Sequence, residues 1–284
     1  MAEMPILPAV ILLLFCLGMA VWTAVAASGG RRDRERLRQA RSNLVPQPAG
    51  ERFREQMLDG LPEPVCRYFR HAIAEGTEIY DGAILAIDGE MLIRPGQPWF
   101  PFTSTELIRH GHGLLWEARM RMGAVGFNGY DMYRAGEGRM CWRMHGLYPM
   151  ASAEGDAISE SAAGRMAAEM IWLPGMLLPQ HGVQWVADNV NEIRCQLSVD
   201  KYDFELRFML DGKGRVLRLR MQRLRNQDDG SSEVLEFGMD SSADFTANGF
   251  TVPGECSVAW QPDDVLARFE FWRGRLRSMS QTDS

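Results

Sequence analysis

The chain has 284 residues, of which 46% are apolar and 24% are charged, and its formal net charge is −6. This composition is that of a globular protein and excludes a disordered or collagen-like chain. The acidic balance argues against a dedicated DNA-binding protein, whose phosphate contacts require a net basic domain, so no nucleic-acid partner is expected.

The sequence starts with an uncharged segment, residues 6–27, that is long enough to cross a bilayer. Its 22 residues form a helix of about 33 Å, close to the roughly 30 Å of a hydrocarbon core. A cleaved secretory signal is the alternative, because residues 24–28 (AVAAS) offer small side chains for cleavage. A signal peptide carries its positive charge in front of the apolar run, however, and here the charge follows it. We therefore predict a retained single-pass transmembrane helix within residues 1–30.

A basic segment comes directly after this run. Residues 31–41 contain six arginines against Asp33 and Glu35, a net charge of +4, so the rest of the chain carries −10. Under the positive-inside rule the segment stays in the cytoplasm. We expect a bacterial inner-membrane protein with a cytoplasmic domain; an outward-facing domain is the alternative. The arginines either stop transfer alone or also attract anionic headgroups, at about 1 kcal/mol each. The membrane-surface candidates are Arg31, Arg32, Arg34, Arg36, Arg38 and Arg41.

The rest of the chain is predicted to form one domain. Residues 42–50 contain two prolines and a glycine and read as a short extended linker, so residues 31–50 make up the juxtamembrane segment. The domain is expected over residues 51–278, with residues 279–284 as a tail. It begins with helices near residues 52–74.

Beyond residue 76 apolar and polar side chains alternate, which predicts antiparallel strands with one buried face. The clearest example is residues 114–122, and glycine-containing turns separate the segments. The alternation slips after Met221 and after Phe271, where we predict bulges, and bulges bend a sheet. The fold class is therefore mainly β (α+β), with a strongly curved antiparallel sheet or half-barrel and a few helices. The other alternating segments are residues 140–144, 193–199, 204–210, 217–221, 256–260 and 265–271.

One helix is predicted among the strands, over residues 158–173. At 100° per residue Glu169 falls within its apolar stripe, and Arg165 lies one turn earlier. Burying either charge alone would cost several kcal/mol. The two are therefore expected to pair inside the domain, with Arg67 or Tyr68 as further partners. This pair is either a structural ion pair or a ligand-binding or catalytic site in which desolvation raises the pKa of Glu169.

No strong catalytic motif is present: the sequence has no phosphate loop, dinucleotide fingerprint, G-x-S-x-G elbow or H-E-x-x-H. His110 and His112 are two residues apart, but no third metal ligand is indicated. No cofactor, metal ion or catalytic residue is predicted. The cysteines after the apolar run are scattered and are expected to be buried thiols. Many tryptophans and 18 methionines could line an adaptable cavity instead of a packed core. The ligand-binding candidates are Arg165, Glu169, Trp172, Arg67, Tyr68 and Trp116.

Seven short segments follow one another in a distinctive order over residues 58–276. They are LPEPVCRYFRHA (61–72), WFPF (99–102), LWEAR (115–119), DMYRAGEGRM (131–140), RMAAEMIWLP (165–174), NGFTVP (248–253, with Trp260) and FWRGR (271–275). Together they resemble an uncharacterised bacterial family of unknown function, so the resemblance implies no reaction. Residues 233–242 depart from that family, which usually has a Pro-Trp pair and a more polar stretch there. The order of strands and helices is also similar to the lipoprotein-carrier half-barrels, in which a curved antiparallel sheet surrounds helices and an apolar cavity.

One hypothesis and two alternatives follow from these observations. The leading hypothesis is a membrane-anchored, non-enzymatic module that binds an apolar or amphipathic ligand, such as a lipid, near the membrane. The first alternative is a hydrolase or isomerase with Glu169 as acid or base, although no nucleophile with an adjacent base can be named. The second alternative is a structural or interaction module with a closed core.

Overall fold

The computed structural model describes residues 30–227 and 229–282. The predicted anchor at residues 6–27 lies outside the described residues and stays a prediction. Within the described ranges, no helix combines the length and the apolar character that crossing a bilayer requires.

Three helices and fifteen strands make up the described part of the chain. Short 3-10 turns occur at Glu55–Leu58, Met170–Trp172, Pro174–Leu177 and Pro179–His181. The elements in chain order are α1 (residues 30–43), β1 (Pro48–Arg52), α2 (Glu63–Ala72), β2 (Glu78–Tyr80), β3 (Gly82–Met91), β4 (Phe100–Arg109), β5 (Gly113–Met122), β6 (Val125–Arg134), β7 (Glu137–Met144), β8 (Tyr148–Glu154), α3 (Asp156–Glu169), β9 (Gln184–Ala187), β10 (Glu192–Val199), β11 (Tyr202–Leu210), β12 (Val216–Asn226), β13 (Ser232–Ala247), β14 (Phe250–Trp260) and β15 (Phe269–Ser280).

Thirteen strands form one antiparallel sheet in the order β8-β7-β6-β5-β4-β3-β15-β14-β13-β12-β11-β10-β9, and β1 pairs with β2. The predicted mainly β, antiparallel fold is confirmed. Helix α3 contacts β6, β7 and β8 as well as β10, β11 and β12, which lie toward opposite ends of that order. The sheet therefore curves around α3. In the described part of the chain it stays open, with β8 and β9 as its edges.

One of the two predicted bulges is present. Val258 pairs with Trp272 and Ala259 with Glu270, which leaves Phe271 as the extra residue in β15. The bulge predicted after Met221 was wrong, because β12 pairs with β13 without interruption from residue 218 to residue 226. The alternation stops there because the next inward position is Arg223, a charged residue that lines a cavity.

The alternation predicted from residue 265 was also wrong in its first half. Strand β15 begins at Phe269, and Val265 is 94% exposed in the preceding loop. The alternating apolar residues from residue 265 predicted a strand where the chain forms a loop. Burial of the apolar face, which would stabilise such a strand, is missing.

The short extended linker predicted at residues 42–50 packs on the domain. Residues 30–43 are helical, and Ala40 and Leu44 are buried against Leu115 and neighbouring side chains of β4 to β7. The next residues join β1, which pairs with β2. Helix α1 therefore covers one face of the sheet while α3 covers the other. This explains why both Leu114 and Leu115 are buried in adjacent positions of β5.

Two ionic contacts fasten α1 to the sheet. Asp33 is buried and accepts hydrogen bonds from Arg143 (2.5 Å) and from the Tyr130 hydroxyl (3.2 Å). Two residues before the end of α1, Arg41 donates two hydrogen bonds to Glu117, at 2.7 and 2.6 Å. One of the six arginines expected at the membrane surface is thus bound to the sheet.

Candidate functional site

The position of α3 depends on a glycine in β7. The Gly138 backbone N–H donates to the Ser159 hydroxyl at 2.9 Å, and a Cβ at residue 138 would lie 2.6 Å from the Ile158 carbonyl oxygen. The helix starts at Asp156, after Gly155 at the N-cap position, so Ser159 lies within its first turn. Because Gly138 has no side chain, α3 can approach the sheet closely at its first turns.

One turn before the end of α3, Arg165 binds carboxylates from three elements. Its Nε donates to Glu169 (2.5 Å), its Nη1 to Asp131 on β6 (2.9 Å) and its Nη2 to Glu106 on β4 (2.8 Å). The guanidinium also lies 5.0 Å from the ring centroid of Trp116 on β5. We call Arg165, Glu106, Asp131 and Glu169 the Arg165 ion cluster.

Strand register explains the geometry of this cluster. Glu106 pairs directly with Trp116, and Trp116 pairs with Asp131. The three residues therefore form one row across β4, β5 and β6 on the face that α3 covers. Arg165 lies over this row, so a single guanidinium reaches both carboxylates and the ring between them.

Burial changes the acidity of the cluster. Glu106 is only 1% exposed, and burial together with the nearby Glu169 carboxylate raises its pKa well above the usual range, although Arg165 opposes the rise. Burial also raises the pKa of Asp131, against the attraction of Arg165 and Arg223. Burial would lower the pKa of Arg165, but the three carboxylates outweigh it and raise that pKa. The arginine therefore stays charged, and Glu106 keeps its proton to a higher pH than a free glutamate.

The cluster borders a cavity of about 220 Å³ between α3 and the sheet. Besides the cluster, one further charged residue, Arg223, lines it. The remaining wall is apolar, and most of its residues are aromatic or contain sulfur. These residues are Met91, Trp116, Ala168, Ile171, Trp172, Leu219, Phe237, Met239, Cys256, Val258, Trp260, Phe271 and Trp272.

Arg223 differs from Arg165 because its guanidinium has few polar contacts. Its Nε donates to the Ser161 carbonyl at 3.0 Å, and the group lies over the rings of Phe237 (4.7 Å) and Trp260 (5.4 Å). Burial, followed by repulsion from Arg165, lowers its pKa to about 10. No carboxylate of the described residues forms an ion pair with it, so a guanidinium faces the cavity without a direct counter-charge.

Three residues that line the cavity also keep buried polar atoms without a hydrogen-bond partner in the described part of the chain. They are Asp131 Oδ1, Glu169 Oε2 and Trp116 Nε1. Each such atom costs roughly 1–3 kcal/mol while it stays unpaired. A water molecule or the polar end of a ligand would recover this free energy.

Four of the six candidate residues meet at this cavity: Arg165, Glu169, Trp172 and Trp116. The expected partnership of Arg67 and Tyr68 with Arg165 was wrong. Helix α2 packs against β9, β10 and β14 and makes few contacts with α3. Arg67 donates to the Val190 carbonyl and to Glu63, and the Tyr68 ring lies 5.6 Å from that of Trp185.

Glu106, Asp131 and Arg223 were not among the predicted site residues. Glu106 occupies an inward position of β4, between the buried residues Ser104 and Ile108. Recognising β4 as a strand would have put Glu106 on the buried face, where a charge is unusual. Arg223 left the clearest signal, because it interrupts the apolar alternation of β12.

A second cavity, of about 400 Å³, lies on the other side of α3 and is lined by His110, His181, Met166 and Met170, among others. The His110 and His181 rings are 6.3 Å apart, and burial, followed by the proximity of His181, lowers the pKa of His110. Across residues 30–227 and 229–282 no group of three side chains is arranged to hold a metal ion. This cavity has no ion cluster comparable to that of Arg165. The described cysteines, Cys66, Cys141, Cys195 and Cys256, are free and buried.

Comparison with known proteins places the chain in a family. Residues 51–274 match the profile of a family of unknown function, DUF6544, so the chain belongs to that family and the resemblance seen in the sequence is confirmed. No curated protein matches the chain.

Some solved structures are distantly similar to this chain. One is described as an outer-membrane lipoprotein-sorting protein domain from Vibrio parahaemolyticus, with 7% identity, a TM-score of 0.37, and coverage of 70% of this chain and 84% of that chain. A LolA-superfamily protein from Nitrosomonas europaea has 8% identity, a TM-score of 0.36, and coverage of 78% and 93%. A DUF1329-family protein from Desulfovibrio piger has 11% identity, a TM-score of 0.31, and coverage of 70% and 85%. At these scores no property of the three proteins is transferred to this chain.

Proposed function

We propose that the domain binds an apolar or amphipathic ligand, without catalysing a reaction, in the cavity between α3 and the sheet. The observation that carries the proposal is the composition of this cavity. Its wall is largely aromatic and aliphatic, and its charged residues are confined to the Arg165 ion cluster and Arg223. Binding sites for small molecules typically combine an apolar lining with a few placed polar groups.

The size of the cavity limits the part of the ligand that it can hold. About 220 Å³ exceeds the roughly 150 Å³ of an engineered apolar cavity that binds benzene. It is below the roughly 300–1,000 Å³ of pockets for drug-sized molecules. A ring system or a short acyl segment fits, and a complete membrane lipid does not fit without further opening.

The charged residues on one side of the cavity favour a ligand with a polar end. Arg165 is saturated by three carboxylates, whereas Arg223 is buried among rings without a direct counter-charge. A buried guanidinium is strongly stabilised by a carboxylate or phosphate, which accepts two parallel hydrogen bonds from it. The proposed ligand therefore carries an anionic group at Arg223 and an apolar body against Trp260 and its neighbours.

The proposed location is the cytoplasmic face of the inner membrane. It is supported by the uncharged run at residues 6–27 and by the arginines that follow it. A reporter fused to the C-terminus tests this placement, because activity restricted to the periplasm would contradict it.

Ligand binding is tested on the full chain, purified from bacterial membranes in a mild detergent. We expect native mass spectrometry and solvent extraction to find a co-purifying amphipathic anion, and a fluorescent fatty acid to displace it. Val258→Trp, which fills the cavity, should abolish this binding, and Arg223→Met should weaken it. Arg225→Met is the matched control, since Arg225 lies on the same strand and also covers Trp260 but does not line the cavity. An empty wild-type chain that also fails to bind the fatty acid would refute the proposal and favour a closed-core module.

One observation favours the enzymatic alternative, and it shifts the candidate acid from Glu169 to Glu106. A carboxyl group whose pKa is raised by burial can act as a general acid near neutral pH, and Glu106 meets this condition beside the apolar cavity. If the bound compound is converted by the wild type, and Glu106→Gln keeps binding but stops conversion, the chain is an enzyme. If Glu106→Gln and the wild type release the same unchanged compound, binding alone is the activity.

A further inference from the structure

Several large apolar side chains are exposed at one end of the sheet. The strand pairs Met91 with Phe100, Met122 with Val125, and Met144 with Tyr148 put the β3–β4, β5–β6 and β7–β8 connections at the same end. The β14–β15 loop joins them, because Trp272 near the start of β15 pairs with Met91. We call the exposed side chains in these connections and at the start of β8 the apolar rim: Ile93, Leu147, Tyr148, Met150, Val265 and Leu266.

Helix α1 has a defined direction relative to this rim. Near its N-terminal end, Asp33 binds Arg143, the penultimate residue of β7, and Arg143 also donates to the Leu147 carbonyl at 3.3 Å. At its C-terminal end, the Asn43 carbonyl accepts a hydrogen bond of 3.0 Å from Arg109, the last residue of β4. Arg109 lies at the opposite end of the sheet from the β7–β8 hairpin. The N-terminal end of α1 therefore points toward the rim.

The sequence before α1 supplies the partner. The uncharged run of residues 6–27 is followed by residues 28 and 29, and residue 30 already belongs to the docked helix. Two residues span about 7 Å at most. A bilayer that holds the run must then lie close to the N-terminal end of α1, and hence close to the β7–β8 hairpin.

The charge next to the rim fits a bilayer as well. Arg31, Arg32 and Arg34 are exposed near the start of α1, and no carboxylate of the described residues forms an ion pair with them. Cationic side chains at this level attract anionic headgroups. Apolar side chains next to them can enter the interface between headgroups and acyl chains.

The cavity is adjacent to the same end of the sheet. Met91 and Trp272, which pair at the rim end of β3 and β15, both line it. We infer that the apolar rim rests on the lipid bilayer and that the cavity exchanges its ligand with that bilayer. This inference rests on the proposed ligand-binding function and adds a docking surface and an orientation to it.

The docking surface is tested with the full chain in vesicles of phosphatidylcholine and phosphatidylglycerol with brominated acyl chains. An environment-sensitive fluorophore is attached to Leu147→Cys or to Val190→Cys in a Cys16→Ser background, in which the four other cysteines are buried. Val190 is the matched control: it is 71% exposed and lies beside α2. The residue after α2, Ile73, pairs with Phe250 at the start of β14, which is the end of the sheet opposite the rim. We expect a blue shift and a loss of emission at residue 147 and neither at residue 190. Equal spectra at both positions, or a chain that does not float with the vesicles, overturn the inference.

A second pair of measurements separates this inference from the proposed function. Leu147→Glu combined with Met150→Glu should bind the fluorescent fatty acid in detergent as the wild type does, and should take it up from vesicles more slowly. Unchanged uptake overturns the role of the rim while leaving ligand binding intact. The other outcome is that the wild type fails to bind the fatty acid in detergent while the fluorophore at residue 147 still enters the bilayer. That result overturns the proposed function and the exchange step, but it leaves the docking surface intact.

Discussion

Arg165→Met removes a cation that contacts three carboxylates at once. Its partners differ in burial: Glu106 is 1% exposed, whereas the Asp131 side chain is 32% exposed. Removing one partner of a buried ion pair costs about 3–5 kcal/mol, because the remaining charge loses its compensation. Glu106 can lower this cost by keeping a proton, since burial already raises its pKa. We therefore expect a loss near the lower limit, about 3 kcal/mol at pH 7, and a smaller loss at pH 5.

Urea unfolding of the full chain in mild detergent measures this loss, with the emission of the eight tryptophans as the signal. Arg207→Met is the matched control, because its ion pair with Glu236 is solvent-exposed. Exposed pairs contribute about 0–1 kcal/mol. A loss below about 1 kcal/mol for Arg165→Met, or a loss that is the same at pH 5 and pH 8, would refute a buried, charge-compensated cluster.

Three further predictions concern Glu106, helix α1 and Gly138. Folding raises the pKa of Glu106, so the free energy of unfolding should fall as the pH rises above 4.5, the ordinary pKa of a glutamate, by at most about 1.4 kcal/mol per pH unit. Glu106→Gln should remove this pH dependence in urea titrations. An unchanged dependence would mean that another group causes it. Asp33→Asn should release α1, so that trypsin cleaves within residues 31–41 faster, whereas Glu35→Gln, at an exposed pair, should not. Gly138→Ala should destabilise the domain by about 1–3 kcal/mol through overpacking, because the added Cβ would meet α3, and should lower the melting temperature. Gly212→Ala is the control: its Cβ would lie in open space and should leave the melting temperature unchanged.

The periodicity of the sequence was sufficient for the class of fold and for the ion pair within α3. Alternation over residues 114–122 identified β5, and helical spacing brought Arg165 and Glu169 into contact. The partners of that pair come from β4 and β6, which are 59 and 34 residues away in sequence. Such contacts follow from strand register, and a single sequence does not contain the register of a sheet whose strands were only partly recognised.

Helix α1 was missed for a different reason. Its sequence is dominated by arginines, so it was assigned entirely to the membrane surface. Few apolar side chains dock it, chiefly Ala40 and the following Leu44, and its polar contacts with the sheet come from the buried Asp33 and from Arg41. An aspartate among arginines is expected to be neutralised by its neighbours on the same helix, but the main partners of Asp33 are Arg143 and Tyr130 on the sheet. Burial would raise the pKa of Asp33, and these contacts outweigh it and lower that pKa.

The two slips in the strand pattern looked alike in the sequence and have opposite causes. At Phe271 the backbone gains a residue, so an apolar side chain stays inside while the register moves. At Arg223 the register is unbroken and the side chain is the exception, because a guanidinium occupies an inward position. A bulge changes the shape of the sheet, whereas a buried charge without a direct counter-charge costs free energy. Such a cost is expected to persist where a bound group offsets it. For this reason the charged residue at position 223 supports the proposed ligand more directly than the bulge at Phe271 does.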